Sequence, residues 1–77
     1  MIGIWGLHRE DAMRAGETEQ QMAVRHVAEQ EKRIARQQAL IERLRKVGAP
    51  SDDALGLLAT MQDILKTMRA HVERLSN

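Results

Sequence analysis

Three kinds of side chain in this 77-residue sequence have the chemistry to bind or catalyse: histidines, a run of bases, and scattered carboxylates. His26 and His71 carry imidazoles that can hold a divalent metal when carboxylates join them from facing helices. If the chain reverses at Gly48–Pro50, His26 comes level with His71 and Val72, and Glu29 and Glu73 fall within about a turn of that level. Carboxylate–histidine metal sites in helical bundles, however, draw on several inward acids with Glu-x-x-His spacing. That spacing does not occur here, and helical periodicity puts Glu29 toward the outer face. The expectation is therefore no metal, with His26 and His71 as the nearest approach to a ligand pair. A hydrogen-bonded or partly exposed pair is the simpler reading. If the two were buried together, they would make stability pH-sensitive near neutrality.

Arg25, Lys32, Arg36, Arg43 and Lys46 recur along one side of a helix, and residues 32–46 hold six bases against one acid, Glu42. A basic helical strip can follow phosphates. Glu29 interrupts this one, the last third of the chain has four acids against three bases, and no Phe, Tyr or Trp follows Trp5 to offer base stacking beside the strip. Glu29 before Arg33 and Glu42 before Lys46 have the i,i+4 order of an ordinary solvated face. With a net charge of +1 the chain exerts no bulk attraction on nucleic acid or anionic membrane. Nucleic-acid binding is thus the lesser expectation.

Catalysis has little to work with. Zero cysteines exclude a thiolate zinc site, an iron–sulfur cluster and a cysteine nucleophile, and they fit a reducing, cytoplasmic setting. No nucleophile elbow, phosphate-cradling glycine loop or inward carboxylate pair is present. Ser51 and Thr18 are accounted for as helix caps. A narrow hairpin is expected to offer no pocket of the usual ~300 Å³ or more. The prediction is a non-enzymatic protein without a cofactor.

These residues must be positioned by two long helices. From Glu17 to Val47 there is neither proline nor glycine. Thr18 and Gln21 have capping-box spacing, and Arg43, Arg45 and Lys46 crowd the last turn before Gly48, where a left-handed residue is wanted. Helix 1 is predicted over about residues 18–47, a turn over 48–50, and helix 2 over about 51–76, with Ser51 as N-cap and Asp52 and Asp53 in the first turn. So short a connection sets the helices antiparallel: an all-α, coiled-coil-like hairpin spanning 17–77. Residues 1–16 read as a poorly structured tail or short helix. Ile2, Ile4, Trp5 and Leu7 alternate there with Gly3 and Gly6, and Met13 is a second candidate start. No secretion signal is evident, and no apolar run approaches the ~18 residues that span a bilayer.

Val27, Ile34 and Ile41 recur every seven residues beside a row of Ala23, Gln30, Gln37 and Leu44. Ala28 and Ala35 are expected to flank this seam. Two glutamines in such a row are either partly solvated or hydrogen-bonded across the pair, where they fix register. The apolar set of helix 2 is Ala54, Leu57, Leu58, Met61, Ile64, Leu65, Met68, Val72 and Leu75, with His71 among them. That stripe is wider than one partner helix requires. Chains below ~80 residues need a staple, and without disulfide or metal the common one is self-association. The prediction is a homodimer forming a four-helix bundle through Val27, Ile34, Ile41, Leu44, Leu58, Met61, Leu65, Met68 and Val72, with a further protein partner as the variant.

The stretches His26-Val-Ala-Glu-Gln-Glu, Ile34-Ala-Arg-Gln, Ile41-Glu-Arg-Leu-Arg and Gly48, with Leu57-Leu-Ala-Thr-Met and Met68-Arg-Ala-His-Val-Glu-Arg-Leu, resemble a group of short helical-hairpin proteins of alphaproteobacteria, particularly rhizobia-like soil bacteria. The resemblance covers about residues 22–75. The group often has glycine where this chain has Gln30, and its segment before the helix is unlike Met1–Gly16. The resemblance implies a small, cytoplasmic, non-secreted protein. It brings no assigned activity and so adds no mechanism.

Overall fold

The computed structural model describes residues 15–76, and the readings above for residues 1–14 and for Asn77 lie outside that range. Within it the protein is two α-helices packed against each other, α1 over Glu19–Lys46 and α2 over Asp52–Ser76. The helices begin and end within a residue or so of the bounds read from the sequence, because the capping box, the end charges and the left-handed glycine that set them are in place.

Thr18 stands in extended backbone as the N-cap of α1. Its hydroxyl accepts from the Gln21 N–H at 3.0 Å, while the Gln21 side-chain oxygen accepts from the Thr18 N–H at 2.9 Å. This reciprocal pair satisfies two donors that an uncapped terminus would leave open. At the other end Gly48 has φ +70, with its N–H donating to the Arg45 carbonyl at 3.2 Å and the Ala49 N–H donating to the Leu44 carbonyl at 2.9 Å. Those two bonds make a Schellman closure, and half-buried Leu44 and Ala49 supply its apolar side. Ser51 opens α2 through its carbonyl, which accepts from the Leu55 N–H at 2.9 Å. Its hydroxyl makes no capping bond among the described residues, so the favourable charge of Asp52 and Asp53 is left to stabilise that terminus.

The core is a single thin seam. Its buried residues are Ala23, Gln30, Ile34 and Ile41 from α1 and Leu65 from α2. Val27 and Leu44 on α1, and Leu58, Met61, Met68 and Val72 on α2, are half-buried beside them. Ala28 and Ala35 are exposed, contrary to the expectation that they flank the seam. At 100° per residue they turn past the edge of the contact. Leu57 and Ile64, counted in the apolar stripe of α2, are likewise exposed, because one neighbouring helix covers only part of a stripe that wide.

Both glutamines of the seam bond across the pair. Gln30 Nε2 donates to the Met61 carbonyl at 3.0 Å, and Gln37 Nε2 donates to the Ala54 carbonyl at 2.9 Å. Each bond is displaced from the other by seven residues on both helices, so one geometry is used twice. A shift in register would take both amides off their carbonyls together, leaving Gln30, only 4% exposed, without a partner.

Candidate functional site

The seam divides the hairpin into two flanks of different chemistry. On one, Glu31 and Arg69 form an ion pair at 3.0 Å, and Gln20 Nε2 donates to the Ser76 hydroxyl at 3.0 Å. Ser76 in turn donates to the Val72 carbonyl at 2.9 Å. The rows that supply this flank, Val24–Glu31–Gln38 and Leu55–Gln62–Arg69–Ser76, are mainly polar. A groove of about 280 Å³ lies here, lined by Val24, Val27, Arg69, Val72 and Glu73.

The other flank holds a groove of about 360 Å³ lined by Met22, Ala23, His26, Thr67, Met68, His71 and Arg74. Its two histidines start two rows with heptad spacing: His26, Arg33 and Leu40 on α1, and Leu57, Ile64 and His71 on α2. The helices run antiparallel, so the rows face each other in reverse, Arg33 opposite Ile64 and Leu40 opposite Leu57. Leu57 is 52% exposed, Ile64 47% and Leu40 36%. Half-buried Met61 and Met68 lie just inside them. On this side Leu40, Leu57 and Ile64 stay a third to a half exposed, interspersed with His26, Arg33 and His71.

His26 and His71 thus share one groove, at the level anticipated from the turn position. Glu29 does not join them. Its carboxylate accepts from Arg25 Nη1 at 3.3 Å, one turn back on the outside of α1. No three His, Cys, Asp or Glu side chains converge among the described residues. Two imidazoles without a carboxylate make an incomplete ligand set for the helical-bundle metal chemistry considered above.

The basic strip is divided. Arg25 is held by Glu17 through two bonds, Nε to one carboxylate oxygen at 2.9 Å and Nη2 to the other at 3.0 Å, and its side chain is only 18% exposed. Its charge is spent within the protein. Lys32, Arg36, Arg43 and Lys46 are exposed, and among the described residues none of them forms an ion pair. Neither the Glu29–Arg33 nor the Glu42–Lys46 pairing suggested by i,i+4 spacing is made; Glu29 turns to Arg25 instead.

The expectation of no space above ~300 Å³ fails on volume, since the histidine groove exceeds it. It is a groove bounded by two helices and not an enclosed cavity. Sequence reasoning also missed Glu17 as the partner of Arg25, the Glu31–Arg69 tie between helices, and Leu40 as part of the apolar flank. The heptad recurrence of His26, Arg33 and Leu40 against Leu57, Ile64 and His71 is the signal that could have found the last.

No helix among the described residues is long and apolar enough to cross a membrane. No family model, no curated protein and no solved structure matches the chain.

Proposed function

We propose that this hairpin is a non-enzymatic protein–protein interaction and oligomerisation module that pairs with a second copy into a four-helix bundle. One observation carries the reading. Only four apolar residues among those described, Ala23, Ile34, Ile41 and Leu65, are buried, and none of them is fully enclosed, while Leu57 and Ile64 stand half in solvent. A seam so thin gives little apolar burial against the conformational entropy of ordering two long helices. Association supplies the missing cover, and helix pairs commonly find it in bundles. The cysteine-free composition fits a module working in the cytoplasm.

Light scattering on the purified protein, with Leu65→Glu beside it, tests the reading. The wild type is expected at twice the chain mass, and Leu65→Glu is expected to unfold, because its carboxylate would sit in the seam without a partner. A folded wild-type monomer, melting cooperatively and unchanged on dilution, overturns it.

A second reading draws on the exposed Lys32, Arg36, Arg43 and Lys46, which form no ion pair among the described residues: a small nucleic-acid-associated or regulatory protein that lays α1 along phosphates. A gel shift at low salt that weakens steeply as salt is raised would favour it over the first.

A further inference from the structure

Resting on the association reading, we infer that the second copy docks on the flank that carries Leu40, Leu57 and Ile64, the two hairpins meeting about a two-fold axis. The two flanks differ in what they leave for a partner. The opposite one is closed by polar ties between the helices, Glu31–Arg69 and Gln20–Ser76, which water can continue to solvate. The proposed flank has no such tie among the described residues, and beside exposed Arg33 it shows Leu40, Leu57 and Ile64 backed by methionines, where the opposite flank shows Val24 and Leu55. Arg33 is the one side chain in its two rows that is always charged, and its stem is long enough to carry the guanidinium to the rim.

Size fits a second copy of this chain as the occupant. Helices of 28 and 25 residues extend about 40 Å, and a pair of them is about 20 Å wide. The flank then offers on the order of 800 Å² per copy, the amount a standard stable interface buries on each side. A two-fold axis lying along the helices lays α1 of one copy over α2 of the other, so that each copy covers the other's Leu40, Leu57 and Ile64. Such a contact is isologous: the same patch serves both partners and the assembly closes at two.

The test is sedimentation equilibrium on the full chain, comparing wild type with Ile64→Glu on the proposed flank and Val24→Glu on the other, with helix content followed by circular dichroism. The expected result is a wild-type dimer, a dissociation constant raised on the order of a hundredfold or more in Ile64→Glu, and a near wild-type value in Val24→Glu. Because the sequence has no cysteine, Ile64→Cys and Gln62→Cys give single thiols for a long bismaleimide, which keeps the test decisive even if Ile64→Glu fails to fold. Ile64→Cys is expected to cross-link to a covalent dimer, and Gln62→Cys to remain a monomer under the same conditions. A dimer broken by Val24→Glu, or cross-linked only through Gln62→Cys, would overturn the choice of flank and leave the association reading standing. A wild type that stays monomeric at every concentration would remove the association reading itself.

Discussion

The two glutamines of the seam show how single residues specify this fold. Gln30 and Gln37 occupy positions where a coiled coil ordinarily places leucine or isoleucine, yet each amide reaches a carbonyl of α2. Gln30→Ala is expected to cost about 1–2 kcal/mol in urea unfolding, from the lost bond and the lost packing. The Met61 carbonyl keeps its own helical N–H partner and is not orphaned by the change. Gln30→Leu is expected to leave stability equal or slightly higher while admitting other registers, seen as doubled or broadened amide resonances in a nuclear magnetic resonance spectrum. The polar residues in a core row were visible in the sequence, but whether they bonded across the pair or faced water was not. That choice depends on where the α2 backbone lies, and only the packed pair fixes it.

Among the helices and their ends, two glycines with the same open surroundings should respond in opposite directions. A Cβ at Gly48 or at Gly56 would meet nothing within 4 Å, so sterics with neighbours do not enter. Gly48 sits at φ +70, and Gly48→Ala should destabilise by about 1 kcal/mol because an L-residue resists that backbone. Gly56 is inside α2, where Gly56→Ala should stabilise by about 1 kcal/mol through propensity. Thr18→Ala, which removes the hydroxyl half of the capping box, should cost about 1 kcal/mol. Thermal unfolding of the three variants under one buffer checks the signs. The helix bounds were legible in advance because caps, end charges and the left-handed glycine act within a few residues of one another. Ser51 is the exception: its type suited a side-chain cap, but its hydroxyl makes no such bond among the described residues.

For the molecule as a whole, stability and assembly are expected to be one quantity. If a second copy covers the apolar flank, the melting temperature should rise with protein concentration, by mass action on the folded dimer. Scanning calorimetry over a hundredfold range of concentration measures this, and a constant midpoint argues against the bundle. On the outer face of α1, Lys32→Glu with Arg36→Glu should leave melting nearly unchanged, since these exposed side chains form no ion pair among the described residues. The same double variant should abolish any salt-dependent gel shift, which separates the second functional reading from the first.

Caps and a repeat of seven, both written in the order of the residues, fix the pair of helices, their ends and the level at which the two histidines meet. The division of the surface is set by packing alone. Periodicity tells which residues lie in a row, but the crossing of the two helices decides which rows are covered. It is this that buried Gln30 and set Glu31 against Arg69 on one flank, and that left Leu57 and Ile64 half uncovered on the other.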